Sequence, residues 1–262
     1  MSKLSIAEVF FSIQGEGRHS GTPAVFVRVA GCNLSCGAVG RDLAEVNPTE
    51  DDPVEGASWL CDTIDVWRKP DNVYSTEEFI DELRARGWIE NLLENDVHFV
   101  LTGGEPTMPN HQEAWTDFMN RFEAVFGETP FVEVETNGTF VFTKDFLETV
   151  DHVNCSLKLS NSGHSIDDRI KPEAIGQLQI FDQTQSPVTF DWKFVVSGQD
   201  DIEEVNDLVT SFNMENVILM PAGLSREQLK ETYPRAIEFA KERGWKVTGR
   251  EHITAFDIAT GV

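Results

Sequence analysis

Positive charge is what this chain has least of: 21 Lys and Arg stand against 45 Asp and Glu, a formal net charge of −24 over 262 residues. A phosphate backbone is repelled by such a surface, which argues against nucleic acid as a partner. The acidic excess keeps a protein solvated, and the shortage of Lys relative to Arg suits a high-salt host. Long apolar runs are also missing. None approaches the roughly 18–20 residues of a membrane span, and the first residues lack the basic flank and apolar stretch of a signal peptide. No membrane and a cytoplasmic location are the expectation. Four cysteines in a chain of this length do not make a disulfide framework, so clustered ones are read as metal ligands or catalytic thiols. Internal repeats and low-complexity tracts are absent.

What is present is enough apolar material for a sizeable core, 40% of residues with 18 Phe. The length fits one domain of barrel or doubly wound size, or two small ones. Short β-rich runs occur at 25–29, 98–101, 131–135, 153–157, 192–196, 217–220 and 245–248. Helical patterns lie between them. Ser75 with Glu78 reads as a capping box before Phe79, Ile80 and Leu83, with Gly87 as a stop. Asn110 opens a second helix that ends at Gly127, and Ser225 with Gln228 opens a last one, closed by Gly244 and interrupted by Pro234. This alternation predicts a parallel sheet covered by helices. Periodicity alone does not separate an open sheet from a partial barrel. The unusual residues follow the C-terminal ends of the strands: GCNLSC, TGGEP, TNGT, SLKLS and MPAG. Barrel and doubly wound enzymes place their active sites there.

Cys32 and Cys36 sit in a loop directly after a strand, and Cys61 follows an acidic stretch, 37–60, that carries Pro48 and Pro53 and reads as loop. On spacing alone Cys-x3-Cys fits a structural zinc site as well as an iron–sulfur cluster. No His within the loop offers a fourth zinc ligand, whereas three thiolates with an open position suit a cluster that must bind something else. Cys155 falls on a predicted strand, where a buried structural Cys is expected.

Cys32-Asn-Leu-Ser-Cys36 with Trp59-Leu-Cys61-Asp62-Thr63 resembles the CxxxCxxC signature of radical S-adenosylmethionine enzymes, split by the insert before its third Cys. Phe10-Phe-Ser-Ile-Gln-Gly-Glu-Gly17 is similar to the FxSxQGEG of the 7-carboxy-7-deazaguanine synthase family. The strand before Cys32, the glycine motif Thr102-Gly-Gly-Glu-Pro106, Glu135-Thr-Asn-Gly138, Ser156-Leu-Lys158, Trp192-Lys-Phe-Val-Val196, Met220-Pro-Ala-Gly223, His252 and the terminal Gly261-Val262 match family landmarks in order.

The resemblance implies a single domain over 1–262, a partial (β/α)6-like barrel of the radical S-adenosylmethionine type, with the insert 37–60 in its cluster loop. It implies a 4Fe–4S cluster on Cys32, Cys36 and Cys61, and S-adenosylmethionine held by Gly103, Gly104, Glu105, Thr136, Asn137, Ser156 and Lys158. Gly103 and Gly104 are expected to leave room for the ligand, and Glu105 to accept from its ammonium group. Thr63 is expected to contact Mg2+. The implied substrate is 6-carboxy-5,6,7,8-tetrahydropterin, contacted by Gln14, Gly15, Glu16, Arg28 and His252, with Arg28 as the carboxylate clamp. The implied reaction is a radical ring contraction to 7-carboxy-7-deazaguanine with loss of ammonia. An electron donor such as flavodoxin or ferredoxin and a homodimer complete the expectation. Two other readings stay open at this level: a radical activase acting on a protein, and a silent homologue that binds pterin or a partner without a cluster.

Overall fold

Apolar and polar residues alternate along the parallel strands, and this two-residue period decides which side of the sheet meets the helices. Val25, Val27 and Val29, then Phe99 and Leu101, Val132 and Val134, Val153 and Cys155, Phe190, Trp192, Phe194 and Val196 all enter one hydrophobic core with the helices. Their neighbours Arg28, Thr102, Glu133, Glu135, Asn154, Asp191 and Lys193 therefore point to the opposite, inner face. A polar inner wall is costly unless every group finds a partner, and it marks where the chemistry sits.

The structure is a computed structural model describing residues 3–70, 72–94, 96–183 and 187–258. Its strands are β1 (Leu4–Ile13), β2 (Pro23–Val29), β3 (Asn72–Tyr74), β4 (His98–Gly103), β5 (Val132–Thr136), β6 (His152–Cys155), β7 (Thr189–Val196), β8 (Val217–Pro221) and β9 (Lys246–Val247). They form one open sheet in the order β3-β1-β2-β4-β5-β6-β7-β8-β9. From β2 to β9 every pairing is parallel, while β1 joins β2 and β3 antiparallel. Six parallel strands with a remnant seventh and an unclosed edge make a partial barrel, as the family resemblance implies.

The helices are α1 (Ile64–Trp67), α2 (Thr76–Ala85), α3 (Ile89–Glu94), α4 (Pro109–Phe126), α5 (Lys144–Leu147), α6 (Ile166–Arg169), α7 (Pro172–Gln183), α8 (Gln199–Phe212), α9 (Arg226–Arg243) and α10 (Glu251–Phe256). The Ser75–Glu78 capping box forms in both directions. Gly127 and Gly244 end α4 and α9 in the left-handed region, where a side chain is disfavoured. Helix α9 runs through Pro234 without a break. Among the described residues no helix is long and apolar enough to cross a membrane. Gly261 and Val262 lie outside the described residues.

Two expectations change. The run at 245–248 shortens to the two-residue β9, because only Ile218 and Leu219 are available to pair with it. The insert 37–60 contains a 3-10 turn, Leu43–Glu45, and folds onto the cysteine loop. Ala38, Val46, Leu60, Ile64 and Trp67 form a separate apolar cluster that Cys32 and Cys61 pack against. Ala57 bridges Ser162, and Arg68 donates to the Leu43 carbonyl at 2.5 Å. The insert is a buttress with its own small core.

Candidate active site

The cysteine loop leaves β2 at Val29 and is pinned from three sides. Gly31 N donates to the Trp67 carbonyl at 2.7 Å, Glu105 N to the Gly31 carbonyl at 2.9 Å, and Cys61 N to the Cys36 carbonyl at 3.0 Å. That last bond closes the split motif: it places the third cysteine beside the second although 24 residues separate them in sequence. All three thiols are free; the charges of Cys36 and Cys61 act on Cys32, and that of Cys61 acts on Cys36. Cys155, also free, lies buried in β6 against Gly138 and Leu157, in the core shared with the helices.

Burial pushes the Cys36 thiol up to about 12, with the Lys158 charge opposing it. Burial likewise raises Cys32, where Glu105 adds to the effect, and Cys61, where Asp62 does. Protein alone therefore does not ionise them. Yet N–H groups aim at the sulfurs: Leu34 N at 3.4 Å from Cys32 Sγ and Trp67 Nε1 at 3.5 Å from Cys61 Sγ. Buried thiols with amide donors and no internal charge balance are a donor set that fits a cationic iron–sulfur cluster.

The glycine motif is tightly packed. A Cβ on Gly104 would run into the Gly31 carbonyl, and one on Gly103 (φ +110°) into Arg28 and the Val29 nitrogen at 2.6 Å. The cysteine loop takes the side-chain volume at Gly104 and β2 takes it at Gly103, so these glycines let chain segments touch. Gly104→Ala should cost about 1–3 kcal/mol, because backbone cannot yield as a flexible side chain can. Thermal melting together with iron content after reconstitution checks this; a variant with wild-type values for both would contradict it.

Glu105 is likewise turned inward. It is fully buried, and its carboxylate accepts from Thr107 N at 2.8 Å, Thr107 Oγ1, Thr136 Oγ1 at 2.7 Å and Asn137 N at 2.7 Å. These bonds shape the Thr136–Asn137 loop. Burial raises its pKa while these bonds pull it back. Asn137 then reaches the cysteine loop, with Nδ2 at 3.0 Å from Asn33 Oδ1. Only Gly138 of the Asn-Gly pair has positive φ, so the type I′ turn suggested by the pair alone does not form. Lys158 Nζ donates to Ser156 Oγ at 3.1 Å and lies 5.9 Å from the Trp59 ring centre.

The inner wall carries a dense ionic network. Glu16 accepts from Lys193 Nζ at 2.7 Å and Arg250 Nε at 2.9 Å, and Arg250 Nη2 donates to Asp62 Oδ2 at 2.8 Å. Burial works against the Glu16 charge, but Lys193, Arg250 and His252 outweigh it and hold the carboxylate well below its ordinary range. His252 Nε2 is 3.9 Å from Glu16 Oε1, and burial depresses its pKa. Gly15 is needed because its Cβ would strike the His252 ring. Gln14 is buried with its amide on Glu133 (2.9 Å) and Glu135 (3.3 Å), and its oxygen accepts from Glu16 N at 3.2 Å. In this geometry Gln14 sets the loop that presents Glu16. Arg28 Nε donates to Glu8 Oε2 at 3.1 Å, and its charge reaches Asp62. Thr63 begins α1 with its hydroxyl 3.7 Å from Cys61 Sγ.

Lys193, Arg250 and Asp62 therefore join the site without having been singled out as binding residues. A signal for Lys193 existed: it is the one charged residue in the apolar run 192–196. Arg250 had none beyond lying two residues from His252.

No family model matches the chain. Curated relatives do. The chain is 31% identical over 261 residues to the 7-carboxy-7-deazaguanine synthase of Pyrobaculum aerophilum, covering 99% of this chain and 97% of that one. It is 29% identical over 280 residues to that of Halobacterium salinarum (98% and 91%) and 30% over 268 residues to that of Rhodopirellula baltica (99% and 89%). Among solved structures, the crystal structure of QueE from Escherichia coli superposes with a TM-score of 0.57 at 20% identity, over 94% of this chain and 93% of that one. That match speaks to the shared fold.

Proposed function

The chain belongs to the 7-carboxy-7-deazaguanine synthase family, and from that premise we propose how its residues divide the work. The protein is a radical S-adenosylmethionine enzyme that converts 6-carboxy-5,6,7,8-tetrahydropterin to 7-carboxy-7-deazaguanine with loss of ammonia. The observation that carries the residue assignment is the gathering of Cys32, Cys36 and Cys61 at one end of a polar barrel interior. We read 1–262 as one domain, with 37–60 as the buttress of that gathering.

A reduced 4Fe–4S cluster and S-adenosylmethionine, when bound, supply an electron and a hydrogen-abstracting 5′-deoxyadenosyl group. The chain supplies the rest. Cys32, Cys36 and Cys61 hold the cluster and leave one iron for the cofactor. Ser156, Lys158 and Asn137 bind the cofactor beside it, on a backbone arranged by Glu105, Thr136, Gly103 and Gly104. Glu16, kept ionised by Lys193 and Arg250, accepts from the N–H edge of the pterin; Gln14, Gly15 and His252 fix the loop that offers it. Thr63 would offer its hydroxyl to Mg2+, an ion that takes oxygen ligands and would there neutralise the substrate carboxylate. The enclosing wall keeps C6 of the pterin dry and oriented. A flavodoxin- or ferredoxin-like donor, a homodimer and a cytoplasmic setting belong to this proposal.

Arg28 binds the substrate carboxylate through the edge that Glu8 leaves open. Arg28→Ala should lower turnover about tenfold to a hundredfold, or about 1.5–3 kcal/mol for a lost charge-assisted pair. Cofactor cleavage without substrate, driven by a strong reductant, should continue. Arg28→Lys should restore part of the loss, since a point charge cannot reproduce the planar fork. Wild-type conversion by Arg28→Ala would make Arg28 a structural partner of Glu8 alone.

A further inference from the structure

At the opposite mouth of the barrel, where the parallel strands begin, a second set of ligand-type side chains converges. His98 is the first residue of β4, Glu133 the second of β5 and His152 the first of β6. The register places Glu133 opposite His152, and His152 opposite Thr189. His19 reaches them from the loop between β1 and β2. Its Nδ1 is 3.0 Å from Glu133 Oε2, and His98 Nδ1 is 3.5 Å from the same oxygen. One ligand atom from each of His19, His98 and Glu133 lies within 4.8 Å of the others. The rings of His19 and His152 are 4.6 Å apart, and those of His19 and His98 4.9 Å.

We infer that His19, His98 and Glu133, with His152 alongside, form a binding site for a divalent transition ion such as zinc, separate from the cysteine centre. Several observations support it. The two oxygens of Glu133 have different tasks: Oε1 accepts from Gln14, while Oε2 faces the two histidines. His152 Nδ1 is held by Thr189 Oγ1 at 2.7 Å, which fixes the ring, and its buried Nε2 makes no hydrogen bond, lying 3.5 Å from Asp191 Oδ2. Asp191 is tied up by Arg18, through Nε and Nη2 at 2.7 Å each, so this pair is neutral. The ion would therefore meet imidazole nitrogens and the Glu133 carboxylate.

Two imidazoles and a carboxylate, with a third imidazole beside them, are the nitrogen-rich set that favours zinc or ferrous ion over magnesium or calcium. His19 is 21% exposed and His98 12%, so the site can be reached from solvent. An ion here would join the β1–β2 loop to the starts of β4, β5 and β6, closing the barrel floor. The polar groups in contact with it are otherwise a hydrogen-bonded plug, and the experiment separates the two.

Cluster-loaded enzyme is dialysed anaerobically against zinc, and iron and zinc are counted separately. Wild type should take up about one zinc per chain beyond its iron. His19→Ala and His98→Ala should each weaken that uptake by at least about a hundredfold, as loss of a ligand does, while iron and sulfide stay at wild-type levels. Zinc should raise the melting temperature of wild type but not of either variant. His19→Gln and His98→Gln, which retain hydrogen-bonding side chains, serve if an alanine variant folds poorly. X-ray absorption at the zinc edge of wild type should show nitrogen and oxygen scattering without sulfur. No zinc uptake by wild type, equal uptake by the variants, or sulfur around the zinc would each overturn the site.

Discussion

Cys61→Ala is expected to abolish cluster absorbance and 5′-deoxyadenosine formation, whereas Cys155→Ala keeps both. The two cysteines differ in what surrounds them. Cys61 is hydrogen-bonded through its backbone to Cys36, and its sulfur accepts from Trp67. It shares an electrostatic neighbourhood with Cys32 and Cys36. Cys155 instead lies among Val153, Leu157 and the helices, on the far side of its strand from the inner wall. Removing its sulfur leaves a small void worth about 1 kcal/mol, a loss in melting temperature and not in chemistry. Iron and sulfide analysis after anaerobic reconstitution, with chromatography of the nucleoside product, reads both variants. A Cys61 variant that retains a full cluster while the Cys155 variant loses it would move the third ligand to β6.

The second large effect belongs to Arg250. Its three-way grip on Glu16, Asp62 and the Gly223 carbonyl (2.5 Å) joins the start of α10 to the Gln14–Gly17 loop and to the cysteine motif. Arg250→Ala leaves Glu16 buried with Lys193 as its remaining cation. Removing one partner from a buried pair costs about 3–5 kcal/mol, much of a domain's total stability of about 5–15 kcal/mol. Asp62, with 40% of its side chain exposed, is rescued by water and adds little. Chemical denaturation should show the loss, and turnover should fall below detection because Glu16 is no longer held toward the pterin. Arg250→Lys restores one charge, but its ammonium cannot reach all three acceptors that the guanidinium nitrogens span, so it recovers stability in part and turnover less. A stability within about 1 kcal/mol of wild type would place the network outside the core of the account.

Much of the barrel was legible because buried parallel strands carry β-branched and aromatic runs, and because their C-terminal loops break pattern with Gly, Pro and Asn. β1 was not read as a strand. Its register shifts between Ile6 and Glu8, which breaks the alternation that announces a strand, and its Phe10-Phe11 pair drew attention as motif. The short helices α5 and α6 have one turn each, too little for a 3.6-residue period to show. The cluster ligands could be named from a resemblance, but what brings Cys61 to Cys36 could not: the insert's apolar residues are few and scattered, and their common cluster exists only once folded. Glu105, Gly103 and Gly104 stand out in the sequence, yet their contacts with neighbouring chain are not revealed by spacing. The partners of Glu16 lie 177 and 234 residues away in sequence, a distance over which no local pattern operates.

The central claim is that this barrel interior removes hydrogen from C6 of a carboxylated tetrahydropterin and contracts its ring. The most direct measurement uses substrate carrying deuterium at C6, incubated anaerobically with reconstituted enzyme, S-adenosylmethionine and reductant, with both products followed by mass spectrometry. The account predicts 7-carboxy-7-deazaguanine together with 5′-deoxyadenosine that has gained deuterium. Cofactor cleavage without deuterium transfer and without the deazaguanine, from enzyme with a full cluster, would contradict it.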